Sequence, residues 1–352
     1  MAAITMAAPT FEGKRSATPV SYHLPEAHIG MGTSMEYTTG PPIYRVPKGR
    51  MVLGEGPIYR ASDSTLHWFD PLDSPSELYI LPVDPDSGSP KGEAKVFTLE
   101  DSITVAAFRK NKPGSYIAAY YQGVCFLDEA TGKVEVLREI IPTSERDQLR
   151  FNDGGVDAAG RFWLAEIDIT ATKFPLGQIP KEYEPRGRLW RYDPDGSLHL
   201  MLRGGLVCGN GVKWSHDNKT MYMNDSVGQK ITALDFDLKT GALSNQRILV
   251  DFKGTTSEPD GMVVDNGGNL WVAVYGSNYL MHFSPEGKPL KQVKLPAKCL
   301  TCPTWGGKDF DILYLTTARD RSENPDPIDD GGHIYKFLPD GAKGQPKNEF
   351  AG

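Results

Sequence analysis

A chain of 352 residues with a formal charge of −7, its lysines and arginines scattered along its length, has no basic stripe, so neither nucleic acid nor an anionic membrane is an expected partner. No apolar run reaches the roughly 20 residues of a membrane span, and residues 1–6 lack the charged and apolar regions of a secretory signal, so a cytoplasmic location is expected. Four cysteines are too few for a disulfide scaffold; Cys299 and Cys302 form a C-x-x-C without the second pair or spaced histidines that zinc would require, and read as buried or loop thiols.

Residues 1–40, rich in Ala, Pro, Gly, Ser and Thr, read as an arm that is draped over the domain or disordered; residues 41–345 read as one domain built from repeats. Residues 43–46 are expected to add an outer strand to the last repeat and so remove an exposed edge. Then come four stretches that each open a strand: Gly54-Glu55-Gly56-Pro57, Arg150-Phe151-Asn152-Asp153-Gly154, Gly209-Asn210-Gly211 and Pro259-Asp260-Gly261-Met262. Between and after them, residues 156–163, 212–219 and 263–271 repeat one turn, and residues 189–196, 234–241 and 281–287 repeat another. Alternating short strands with Asp/Gly turns imply an all-β repeat fold. The anchors at 152, 210 and 260 lie 58 and 50 residues apart, a spacing suited to four-stranded propeller blades with loop insertions. Fitted from Glu55 to about residue 340, it predicts a six-bladed β-propeller with four antiparallel strands per blade.

Radial repeats would bring Glu55, Asn152, Asn210 and Asp260 onto one axis, where carboxylate and amide oxygens suit a hard divalent cation at one mouth of a central channel. Calcium is expected first, with magnesium, manganese or zinc as alternatives. Arg150 and Asn152, two apart on a strand, are expected to face the channel together. Calcium acidifies water weakly, so a base is still required, and Asp260 is the carboxylate nearest to hand. A G-x-S-x-G elbow and phosphate-cradling glycine loops are absent.

These motifs, with Thr316-Thr317-Ala318-Arg319, resemble in order and spacing the senescence marker protein / regucalcin / gluconolactonase family over residues 50–340. The resemblance implies a six-bladed propeller that hydrolyses sugar lactones at a divalent metal. It assigns Glu55, Asn210 and Asp260 as metal ligands, Arg150 and Asn152 as substrate contacts, and Asp260 as the candidate general base. The acidic substrate contact that sugar lactonases of the family carry aligns with Thr170, with Glu166 and Asp168 nearby. Residues 170–186, with three prolines and a glycine, form a lid-like insertion over that position. The leading expectation is a metal-dependent lactonase acting on a small lactone or ester. A calcium-binding regulatory protein without turnover, and an esterase or biosynthetic enzyme acting on a larger substrate, stay open as alternatives, and the oligomeric state is left open.

Overall fold

The structure, a computed structural model, describes residues 35–352, the first four by backbone alone; the bulk of the expected arm, residues 1–34, lies outside the described residues. After β1 (Met35–Thr38), four sheets follow in chain order, each a simple meander. The first contains β2 (Glu55–Arg60), β3 (Thr65–Asp70), β4 (Glu77–Pro82) and β5 (Lys95–Thr98); the second β6 (Val105–Phe108), β7 (Ser115–Tyr120), β8 (Gly123–Asp128) and β9 (Val134–Glu139). The third contains β10 (Leu149–Val156), β11 (Phe162–Asp168), β12 (Gly187–Tyr192) and β13 (Leu198–Leu206); the fourth β14 (Gly209–Trp214), β15 (Thr220–Asp225), β16 (Lys230–Asp237) and β17 (Ala242–Asp251). The remaining strands are β18 (Glu258–Val264), β19 (Leu270–Tyr275), β20 (Tyr279–Phe283), β21 (Pro289–Lys294), β22 (Cys299–Gly306), β23 (Ile312–Ala318) and β24 (Ile334–Phe337). Among the described residues there is no α-helix.

The all-β, propeller-like arrangement matches the expectation, but the blade count does not. Four sheets are self-contained four-stranded blades, not six, and the remaining strands make one eight-stranded sheet. One contact causes the merger and a second lengthens the sheet. A bridge between Tyr275 and Cys299 joins β19 to β22, and β1 adds to β21 in parallel. The expected outer strand at residues 43–46 is reduced to an isolated bridge between Tyr44 and Ile334. Pro41, Pro42 and Pro47 flank it and have no N–H to offer a ladder, which explains why pairing does not spread. The metal site that was part of this expectation is not seen either: among the described residues no three His, Cys, Asp or Glu side chains gather into a metal-holding group.

The opening strands β2, β6, β10, β14, β18 and β22 are neighbours in that order, and β22 returns to β2, so they surround a central channel. Apolar clusters lie between consecutive sheets, such as Ile58, Phe69 and Leu78 against Tyr116, Ala118 and Leu127. The repeated turns have a buried cause. Asp157 accepts from Trp163 Nε1 at 2.8 Å and Arg161 Nε at 2.7 Å; Asp265 accepts from Trp271 Nε1 at 3.0 Å. Each aspartate thereby satisfies the one polar atom of a fully buried tryptophan.

After β24 the chain crosses the ring as a carboxyl-terminal strap. Asn266 N donates to Lys343 O, Lys347 Nζ to Pro57 O, Asn348 Nδ2 to Val156 O and Phe350 N to Phe108 O. Phe350 is buried among Ile117, Phe162 and Tyr192, so the strap ends in an apolar anchor.

Candidate active site at the strand starts

Every opening strand except β6 breaks register near its start: between Glu55 and Ile58, Phe151 and Asp153, Asn210 and Lys213, Pro259 and Met262, and Leu300 and Pro303. A bulge bends its strand and re-aims side chains, here at the same level of each opening strand. Glycine makes two of these bulges: Gly56 and Gly211 have φ of +56° and +53°. A Cβ on Gly211 would stand 2.8 Å from the carbonyl oxygen of Asp260, too close to tolerate.

The bulges bring Asn210 and Asp260 together. Asn210 Nδ2 donates to Asp260 Oδ1 at 2.5 Å and to Ser226 Oγ at 3.1 Å, and Ser226 Oγ donates to Pro259 O at 2.8 Å. Asn224 Nδ2 donates to the Asp260 carbonyl oxygen, fixing the backbone beneath the carboxylate. Glu55 is within electrostatic reach of both Asp260 and Asp153. Burial and the repulsion of Asp153 push the Glu55 carboxyl up to about 8; burial and the repulsion of Glu55 push Asp260 well above the usual carboxylate range. Thr301 Oγ1 donates to Gly54 O at 2.5 Å, tying β22 to the strand that carries Glu55.

Arg150 is buried at the same end, within electrostatic reach of Glu55, and donates through Nη1 to Phe151 O at 2.9 Å. Burial lowers its affinity for the proton. Asn152 Nδ2 donates to Gly209 O on β14 at 3.1 Å. The bulge between Phe151 and Asp153 interrupts the simple alternation expected to aim Arg150 and Asn152 alike.

The acids of the third sheet have a different environment. Glu166 accepts from Arg188 Nε at 2.8 Å, Arg188 N at 3.0 Å and Trp190 Nε1 at 2.8 Å; burial still raises its carboxyl. Asp168 accepts from Tyr183 Oη at 2.8 Å and Arg186 N at 2.9 Å; against burial, the Arg186 and Tyr183 bonds hold its carboxyl below its ordinary range. Thr170 Oγ1 accepts from Arg186 Nη2 at 3.0 Å. Asp168 thus ties down the two ends of the 170–186 insertion. Beside it lies an open groove of about 620 Å³ lined by Asp147, Gln148, Thr170, Lys173, Glu182 and Arg186.

Sequence reasoning did not assign Asp153, although it stands inside the motif that supplied Arg150 and Asn152. Its carboxylate accepts from Gly154 N at 2.7 Å and Gly211 N at 2.8 Å, linking β10 to β14. Glu258, a buried carboxylate two residues before Asp260, was also missed, and the bulge after Pro259 breaks the alternation that would relate the two. Cys302 stands at the β22 bulge, where no Asp-Gly or Asn-Gly signature marks the position. All four cysteines are free and buried, as expected.

As a donor set, Glu55, Asp260 and Asn210 fit a hard divalent cation: every contributing atom is an oxygen, and positive charge between the carboxylates would relieve the repulsion that raises both. The amide orientation is interchangeable, so Asn210 can turn its oxygen inward.

Residues 53–319 match the family described as the SMP-30/Gluconolactonase/LRE-like region. Regucalcin of Oryctolagus cuniculus is 33% identical over 259 residues, covering 72% of this chain and 83% of that protein. The putative sugar lactone lactonase YvrE of Bacillus subtilis is 29% identical over 273 residues, covering 77% and 85%. A solved calcium-binding regucalcin of Agrobacterium tumefaciens shares the fold with a TM-score of 0.75 at 22% identity, covering 90% of this chain and 99% of that one. Among the described residues no helix is long and apolar enough to cross a membrane.

Proposed function

The chain belongs to the SMP-30/gluconolactonase/LRE-like family, and from that premise we propose that it is a divalent-metal-dependent hydrolase that opens a sugar lactone. The carrying observation is the pair of carboxylates Glu55 and Asp260, which stand within electrostatic reach of each other, with the Asn210 amide bonded to Asp260. Glu55, Asn210 and Asp260 would hold the cation, calcium being the first expectation from an all-oxygen set and from the calcium-binding relative. When bound, such an ion supplies Lewis-acid polarisation of a carbonyl oxygen.

The chain's own residues would do the rest. Arg150 and Asn152 orient the lactone, and rigid placement lowers the entropy cost of reaction. Asp260 takes the proton of the attacking water as the water oxygen bonds to the carbonyl carbon. The carbon–oxygen bond of the ring then breaks, the ring oxygen receives a proton, and a hydroxy acid leaves. Glu166 and Asp168 act by fixing Arg188 and the 170–186 insertion, which borders the groove and sets the choice of lactone.

The experiment is a panel of sugar lactones assayed for acid release with calcium, zinc, magnesium or manganese added to chelator-treated protein. Metal-dependent opening of at least one lactone supports the reading. Metal binding without turnover across the panel would favour a calcium-binding role instead.

A further inference from the structure

A cavity of about 160 Å³ is lined by opening strands through residues such as Gly56, Asp153, Val156, Lys213 and Trp214, and bordered by Gln345 to Asn348 of the strap. Its walls offer donors in excess. Lys213 Nζ donates to Val212 O at 2.8 Å and Lys347 Nζ to Pro57 O at 2.6 Å. An ammonium carries three N–H donors, so four remain between the two lysines. Lys213 Nζ stands 3.7 Å from where a Cβ on Gly155 would lie, against the cavity wall. Trp214 Nε1 is buried and has no acceptor. The one carboxylate lining the cavity, Asp153, is already engaged by two main-chain N–H groups.

Two like charges share this space. Burial, with the repulsion of Lys213, brings the Lys347 ammonium down to about 8, although the Cys302 sulfur and the Asp153 and Glu55 carboxylates pull the other way. Neither ammonium forms a salt bridge among the described residues. Surplus N–H groups on two ammonium ions in a small, half-enclosed space, where the Asp153 carboxylate is already engaged, are the complement of a compact, acceptor-rich anion.

We propose that Lys347, carried on the carboxyl-terminal strap, and Lys213 on β14 form a binding site for a phosphate-sized oxyanion in the cavity that the strap borders. The strap is therefore part of a ligand site as well as a tie across the ring. Its binding needs no turnover to be tested.

Full-length protein is titrated calorimetrically with inorganic phosphate in chloride buffer of matched ionic strength, and its thermal midpoint is followed in the same solutions. The wild type is expected to bind one phosphate per chain and to melt higher in phosphate than in chloride. Lys347→Met and Lys213→Met should each weaken binding at least about tenfold, the loss of a charged hydrogen-bond donor. Lys347→Arg, which keeps the charge, should bind and guards against a methionine variant that fails to fold. Absence of saturable phosphate binding in the wild type, or wild-type affinity in both methionine variants, would overturn the proposal.

Discussion

Two pairs of acids, one on the channel-lining strands β2 and β18 and the other on β11 behind them, differ in what faces them. Glu166 and Asp168 on β11 are met by Arg188 and Arg186, a tryptophan, a tyrosine and main-chain N–H groups, so their lone pairs are used within the fold. Glu55 and Asp260 face each other and Asp153, with an amide as the nearest side-chain donor to Asp260. Burial acts on both pairs, and only the second is left repelling. A protein retains such an arrangement at a cost to its own stability, and that is where function is expected.

The largest expected effect is on chemistry. Asp260→Asn removes a proposed ligand and the proposed base together, so turnover of the best lactone should fall by about three orders of magnitude or more; kcat/KM near wild type would move the chemistry elsewhere. Asn152→Ala should cost less, on the order of a hundredfold in kcat/KM, with metal content unchanged, because its amide is assigned to substrate. Loss of metal in Asn152→Ala would make it a ligand and redraw the division of roles.

The other acid pair should respond in stability. Glu166→Gln leaves Arg188 with Glu145 as its remaining charge partner and the buried Glu166 site without its charge-assisted bonds, and should cost about 2 kcal/mol in denaturant unfolding, with metal binding retained. An equal cost for Glu55→Gln in chelator-treated protein would erase the contrast between the pairs, since neutralising Glu55 relieves repulsion and should leave the midpoint unchanged or raised.

The smallest effect is on pH dependence. Glu55 has its carboxyl raised from 4.5 to about 8 in the folded chain. The folded state therefore holds its proton where the unfolded state has released it, so metal-free stability should fall as pH rises from about 4.5 to about 8. Metal binding must expel that proton, so affinity should climb over the same window, with proton release at pH 7 visible as buffer-dependent heats. A flat profile in both would mean that Glu55 is already ionised without metal.

The sequence made the repeats and the anchors legible because a bulge at a strand start demands glycine, and a turn beneath a buried tryptophan demands aspartate. Glu55, Asn210 and Asp260 carry those local signals. Asp153 shares a motif with Asn152 but reveals its link to Gly211 only when β10 and β14 are side by side. The blade count was misread because a period counts repeats and cannot see the Tyr275–Cys299 bridge or β1 adding to β21. The saturation of Glu166 and Asp168 was equally hidden: Arg188 and Arg186 are some twenty residues away, and only the β11–β12 pairing returns them to the acids. Lys347 gave no signal, being a lysine in an irregular tail.

The central claim is that Glu55, Asn210 and Asp260 hold one divalent cation. Its most direct test is metal stoichiometry by elemental analysis after chelation, reloading with calcium and removal of free ion. One calcium per chain is predicted for the wild type and for Glu166→Gln, and none for Asp260→Asn; a wild type that retains no ion, or an Asp260→Asn variant that still holds one, would contradict it.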